Sequence, residues 1–119
     1  MIKLVVIESP YAGDVEANLT YARRAMAHSL SQGESPFASH LLYTQVGVLD
    51  DNDPVQRRRG IEAGFDWGQY ADLVAFYLDR GWSEGMRAAE KLWQSRGVAI
   101  EYRYLDNIEG GMTVVVPKP

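Results

Sequence analysis

Cysteine is absent from the 119-residue chain. That excludes a disulfide framework, a thiolate nucleophile and any cysteine-ligated metal. Long apolar runs are missing too: none approaches the roughly 20 residues of a membrane-spanning helix. The opening stretch Met1 to Ile7 leads directly into a strand-like run, too short for a signal sequence. The expected setting is cytoplasmic, with no membrane partner. Positive charge is in deficit, 12 Lys and Arg against 16 Asp and Glu for a net charge of -4. A polymer of nucleic acid needs a broad basic face, so it is an unfavoured partner; a small phosphorylated ligand needs only a local site. Histidine occurs twice, and no His and carboxylate grouping has metal-ligand spacing, so neither a metal nor a cofactor is expected. Repeats, low-complexity tracts and internal linkers are also lacking.

What is present is the composition of one globular domain over residues 1–119, with 46% hydrophobic and 24% charged residues. Ile2 to Ile7 is a near-continuous apolar run, suited to a strand buried on both faces. A loop, Glu8 to Gly13, is punctuated by Pro10 and Gly13. Asp14 can cap a helix running to about Leu30, with Val15, Leu19, Ala22, Met26 and Leu30 as its apolar face. Asn18 is placed to reach back over the loop. A second short strand is expected from Phe37 to His40, followed by an ambiguous segment, Leu41 to Asp51, read as a buried loop with one helical turn.

Asp53 and Pro54 open the next helix as cap and first residue. Ile61, Phe65 and Trp67 are expected to pack it inward. Arg57, Arg58 and Arg59 lie near its start, where the dipole disfavours cations. They are either solvated or held by a partner such as a carboxylate or a phosphate. Ala71 to Leu78 reads as the central strand, and Val98 to Tyr104 as a half-exposed or edge strand. Asp106 to Gly111 is expected to turn the chain into a last short strand, Thr113 to Val116, ahead of Pro117.

Between the central strand and the helix-like run Arg87 to Arg96 lies Asp79-Arg80-Gly81-Trp82-Ser83-Glu84-Gly85-Met86. Ser83 is a good N-cap. A strand, a short loop and a helix N-terminus together form a natural anion site, because free N–H groups and the positive end of the dipole converge there. Gly85, lacking a Cβ, lets a ligand approach the backbone. The alternation of strands and helices predicts an α/β fold, a three-layer flavodoxin or Rossmann-like domain with a mostly parallel sheet of roughly five strands. Ligands of such folds bind outside the carboxyl ends of the strands, where Tyr11, His40 and Ser83 are expected to converge.

Ser9-Pro10-Tyr11 with Gly13 and Asn18, then Tyr21-Ala22-Arg23, Ser39-His40, Ala71-Asp72 and Ser83-x-Gly85-Met86 resemble the nucleoside 2-deoxyribosyltransferase-like superfamily. That group includes deoxyribosyltransferases and 2'-deoxynucleoside 5'-monophosphate N-hydrolases. The likeness is to a small branch common in phages and bacteria, and it extends to Ile100-Glu101-Tyr102-Arg103. It implies a nucleotide or nucleoside ligand, with Ser83, Gly85 and Met86 holding its 5'-phosphate end. Ser9, Tyr11, Gly13, Asp14, Asn18 and His40 would hold sugar and base. The resemblance implies N-glycosidase or deoxyribosyl transferase chemistry and a homodimer or larger assembly, to which Trp67, Trp82 and Trp93 would contribute surface, Trp93 being equally suited to ordinary core.

The family's catalytic Glu falls at the position of Ala89. Glu90 is one residue later and is turned by about 100° on a helix. A substitute carboxylate must therefore come from Asp79, Glu84, Glu8 or Asp14 if the chemistry survives. Asp79, at a strand end, is the leading choice, with Tyr11 as its catalytic companion. The alternative is a nucleotide-binding protein without activity.

Overall fold

The computed structural model describes residues 2–109 and 112–116, and side chains over 2–106. The elements follow in the order β1 (Leu4–Glu8), α1 (Val15–Ser31), β2 (Ser35–Phe37), α2 (Ser39–Leu42), α3 (Pro54–Gly68), β3 (Leu73–Tyr77), α4 (Glu84–Ser95), β4 (Ile100–Glu109) and β5 (Met112–Val116). They form one sheet in the order β2-β1-β3-β4-β5. The first four strands are parallel, and β5 adds to β4 antiparallel. The expected three-layer α/β domain is present, with four parallel strands at its centre. β4 runs on to Glu109 and does not turn at Asp106; Gly110, Gly111 and Pro117 lie outside the described residues.

Strand periodicity divides the core in two, since alternate side chains point to opposite faces. Val5, Ile7, Ala75 and Tyr77 pack beneath α1 with Tyr21, Ala25 and Leu105. Val6, Val74, Phe76 and Leu78 pack against Met86, Ala89 and Trp93 of α4, and Phe65 of α3 closes on the same cluster. β1 and β3 are side by side in register, Val6 with Val74 and Glu8 with Phe76.

Several expectations are corrected here. The buried face of α1 is Asn18, Tyr21, Ala22, Ala25 and Ser29, while Val15 is exposed and Leu30 is 60% exposed. Small and hydrogen-bonding residues let the helix lie close to the sheet; the larger aliphatics stay outside. β2 ends at Phe37, so His40 belongs to the single turn of α2 and not to a strand end. The segment from Gln45 to Val48 is exposed, not buried. On α3, only Phe65 of the three expected residues packs inward, edge-on to Trp93; Ile61 and Trp67 are exposed. The helix instead approaches through Gly64 and Gly68. A Cβ at Gly68 would lie 2.2 Å from the Trp93 ring, and one at Gly64 would lie 2.8 Å from Ser39. β4 is not an edge strand, and Arg103, expected to face solvent, is buried.

Candidate functional site

A cleft of about 870 Å³ opens on the α3/α4 side at the carboxyl ends of β1 and β3. Its walls come from four places. Glu8, Ser9, Tyr11, Ala12 and Gly13 continue from β1; Ser39, His40 and Tyr43 come from α2; Arg57, Gly60 and Gly64 come from α3; Ser83, Glu84, Gly85, Met86 and Ala89 come from α4.

The β1 loop is shaped by Asn18. Its side-chain amide donates to the carbonyls of Tyr11 (3.1 Å) and Ala12 (3.0 Å), as its sequence position suggested, and its oxygen accepts from Arg80 Nε at 2.7 Å. Gly13 takes φ +97°, a conformation open to glycine. Asp14 accepts from Ala17 N–H at 3.2 Å and caps α1. Asn18 and Asp14 thus shape the loop from behind, while Ser9, Tyr11 and Gly13 border the cleft. Ser9 Oγ and His40 Nε2 share a hydrogen bond of 2.7 Å. Burial lowers the His40 pKa to about 4, so the ring is neutral at physiological pH.

On the α4 side, Ser83 Oγ accepts from Met86 N–H at 3.1 Å, and Met86 Sδ lies 3.5 Å from Ser83 N–H, a thioether version of the capping box. The first bond of the helix ladder runs from Arg87 N–H to the Ser83 carbonyl. Met86 therefore serves the cap and the core, and the N–H groups of Glu84 and Gly85 precede the ladder. Space stands open at Gly85: an added Cβ would meet only Arg57 Nη2 and Ser83 Oγ, both at 3.8 Å. Arg57 pairs at 3.0 Å with Asp51, which also borders the cleft and is the partner of this one arginine in the basic run. Glu84 is exposed and borders the cleft rather than standing clear of it.

The carboxylates sort by strand parity. Asp79 lies two residues beyond Tyr77, on the α1 face, and is not part of the cleft wall. It accepts from the Tyr21 hydroxyl and from the N–H groups of Leu105 (2.7 Å) and Asp106 (2.9 Å). Burial raises its pKa, but these hydrogen bonds outweigh that and hold the carboxyl below its ordinary range. Asp79 is thus a brace beneath α1, and its expected place beside Tyr11 in the cleft is corrected. Glu90 is buried and accepts from the Tyr102 hydroxyl at 2.6 Å, turned away from the cleft as helix geometry requires; Ala89 borders the cleft in its stead.

Glu8 shares the face of Val6 and therefore points to the cleft. Its side chain makes no hydrogen bond or ion pair among the described residues, and no arginine pairs with it. Burial pushes its carboxyl up to about 8. Sequence reasoning ranked Glu8 behind Asp79; counting alternate residues from Val6 was the signal that distinguishes them. Arg57 was visible only as part of a basic run.

Among the described residues no group of three or more His, Asp or Glu side chains could hold a metal ion, and no helix is long and apolar enough to cross a membrane. No curated protein matches the chain. A family model does match, over residues 3–103 of the 119, under the description Domain of unknown function (DUF7768). The matched segment holds β1 through the start of β4 and every residue of the cleft named above, and the chain belongs to that family.

Proposed function

We propose that the chain binds a nucleoside or nucleotide in this cleft. One observation carries the reading: the N-terminus of α4 at Ser83–Gly85, open to approach, meets the Arg57 guanidinium across the cavity from the Tyr11 loop. The volume falls within the roughly 300–1,000 Å³ of small-molecule sites. A helix terminus with an adjacent guanidinium suits a phosphate or a sugar hydroxyl. Asp51 already balances Arg57, and Glu84 adds negative charge at the rim, so nucleosides and 5'-monophosphates are both to be tested.

A second reading keeps chemistry at the N-glycosidic bond, as an N-glycosidase or a deoxyribosyl transferase. Its support is Glu8, a carboxyl at the cleft that can replace the one missing at Ala89. By analogy with other glycosidic bonds, the developing oxocarbenium charge calls for a carboxylate nearby, a form Glu8 takes only as its proton is lost near pH 8. Without that chemistry the protein is a nucleotide-sequestering one. Exposed Trp67 (63%) and Tyr70 (72%) support self-association as a homodimer; a monomer by light scattering at high concentration removes that part.

The test is a panel of 2'-deoxynucleosides and their 5'-monophosphates, read by thermal shift, calorimetry and free-base release. Binding is expected with wild type and is expected to vanish in Gly85→Val, whose Cβ meets nothing closer than 3.8 Å and whose branches fill the approach. Base release that is lost in Glu8→Gln marks an enzyme; binding without release marks a sequestering protein. A panel without any binding overturns both readings.

A further inference from the structure

Nucleoside binding without chemistry gives Glu8, a carboxyl of the cleft wall, no task of its own. Glu8 ends β1, in register with Phe76, on the face shared with Val6. It stands on the wall formed by β1 and α2, next to Ser9 and His40, whereas the anion-suited features belong to α3 and α4. Arg103, Asp79, Glu34 and Glu101 all have hydrogen-bonding partners within the protein; the Glu8 carboxyl has none among the described residues. Glu8 is half-buried at the cleft, so it carries part of the roughly 1–3 kcal/mol penalty of a polar group left without a partner. A ligand that supplies the partner recovers it.

The protonation state decides what that partner is. With its carboxyl pushed up to about 8, Glu8 is mainly neutral at pH 7. A neutral carboxylic acid offers one O–H donor beside one carbonyl acceptor, while a carboxylate offers acceptors only. A heterocyclic base has the complementary edge: a ring nitrogen or carbonyl oxygen that accepts, next to an N–H that donates. A sugar or a phosphate has no such planar pair.

We propose that Glu8 holds the base of the bound nucleoside as a neutral carboxylic acid, donating its O–H to an acceptor on the base edge and accepting the neighbouring N–H. This rests on the nucleoside or nucleotide reading and assigns the base to the β1/α2 wall. Two hydrogen bonds form and no covalent bond changes. The other titratable and charged groups bordering the cleft are Tyr11, His40, Tyr43, Asp51, Arg57 and Glu84. His40, with its pKa lowered to about 4, stays neutral throughout the range of interest.

The experiment measures binding of 2'-deoxyadenosine and 2'-deoxycytidine between about pH 7 and about pH 9, with 2-deoxyribose 5-phosphate as a base-free probe. Wild-type affinity for the nucleosides is expected to fall about tenfold as the Glu8 proton is lost, equivalent to about 1.4 kcal/mol. Glu8→Gln presents the same donor and acceptor pair without a proton to lose, and is expected to flatten the profile. Glu8→Ala is expected to weaken both nucleosides about tenfold at pH 7. The base-free probe is expected to show no difference between Glu8→Gln and wild type in its pH profile.

A carbon-13 titration of the Glu8 carboxyl in the free protein gives a reading independent of ligand, expected near 8. Nucleoside binding with a flat or rising wild-type profile, an unchanged slope in Glu8→Gln, or a carboxyl titrating in the ordinary range overturns the proposal and leaves the nucleoside reading standing. Absence of nucleoside binding altogether overturns both.

Discussion

The two faces of the sheet differ in how completely they satisfy their polar groups. Beneath α1, Arg103 is 4% exposed. It donates to both carboxylate oxygens of Glu34 (2.8 and 2.7 Å), to Glu101 (3.0 and 2.7 Å) and to the Tyr77 hydroxyl (3.0 Å). Tyr77 in turn meets His28 Nδ1 at 2.8 Å, and Ser29 donates to Glu34 at 2.7 Å. Burial opposes the charge on Arg103, yet these partners hold its pKa above the ordinary value. On the α3/α4 face Glu90 is satisfied by the Tyr102 hydroxyl, but among the described residues Glu8 has no hydrogen-bonding or ionic partner and Trp93 Nε1 is buried without one, while α3 approaches through bare glycines. Satisfied groups fix one face as scaffold. Unsatisfied groups on the other leave binding capacity for something outside the chain.

The largest effect is expected on the closed face. Arg103→Ala strands Glu34, Glu101 and Tyr77, and losing one member of a buried ion pair costs about 3–5 kcal/mol. Urea unfolding is the measurement, and a loss below about 1 kcal/mol would erase the contrast between the faces.

Next is the pH dependence of stability, where Glu8 and His40 of the cleft act at opposite ends. Burial raises the folded pKa of Glu8 from an ordinary 4.5 to about 8, so its favourable neutral state is fully kept at low pH and lost as pH rises through about 8. His40 has a folded pKa lowered to about 4 from 6.5, so its contribution is full above 6.5 and lost as pH falls through about 4. Asp79 and Glu34, held below their ordinary range, deepen that acid limb. Glu8→Gln is expected to remove the alkaline limb, on the order of 2 kcal/mol between about pH 5 and about pH 9, and to leave the acid limb in place. Denaturant midpoints across this range check it; equal alkaline slopes in both proteins contradict it.

Gly68→Ala probes how α3 is seated. The new methyl meets the buried Trp93 ring, which is wedged against Phe65 and has little room to yield. A loss of about 1–3 kcal/mol is expected, with a change in Trp93 fluorescence. An unchanged stability shows that α3 can lift and that its wall of the cleft is adjustable.

Much of this division is legible from the chain. The apolar runs at Val5–Ile7 and Leu73–Leu78 locate central strands, and Asp14, Asp53 and Ser83 all cap the helices expected of them. The contents of the two faces are less so. Asp79 and Glu8 both follow apolar runs, and only residue parity, fixed by the parallel register of β1 and β3, separates brace from cleft. Arg103 alternates with tyrosines as an exposed residue does; its burial depends on Glu34, 69 positions away, which no local pattern announces. On α3 the packing is carried by absent side chains, and a glycine in sequence does not state which ring fills its space. Val15 and Leu30 follow helical spacing and are nevertheless exposed, since α1 lies close to the sheet through alanines.

The smallest expected change in stability belongs to Gly85→Ala, and its sign is opposite to that of Arg103→Ala and Gly68→Ala. Gly85 lies in the first turn of α4, where an added Cβ meets nothing closer than 3.8 Å. Alanine exceeds glycine in helix propensity by about 1 kcal/mol in a helix interior, and less is realised at an end. A gain of up to about 0.5 kcal/mol is therefore expected in urea unfolding. Nucleoside or nucleotide binding is expected to weaken, because the methyl occupies the approach between Ser83 and Arg57. A variant that is firmer but binds less separates the open face from the closed one, where every loss of a partner lowers stability. If Gly85→Ala binds as wild type does, the ligand does not approach α4 at this turn. If it loses stability as well, then the first turn of α4 belongs to the scaffold and not to the site.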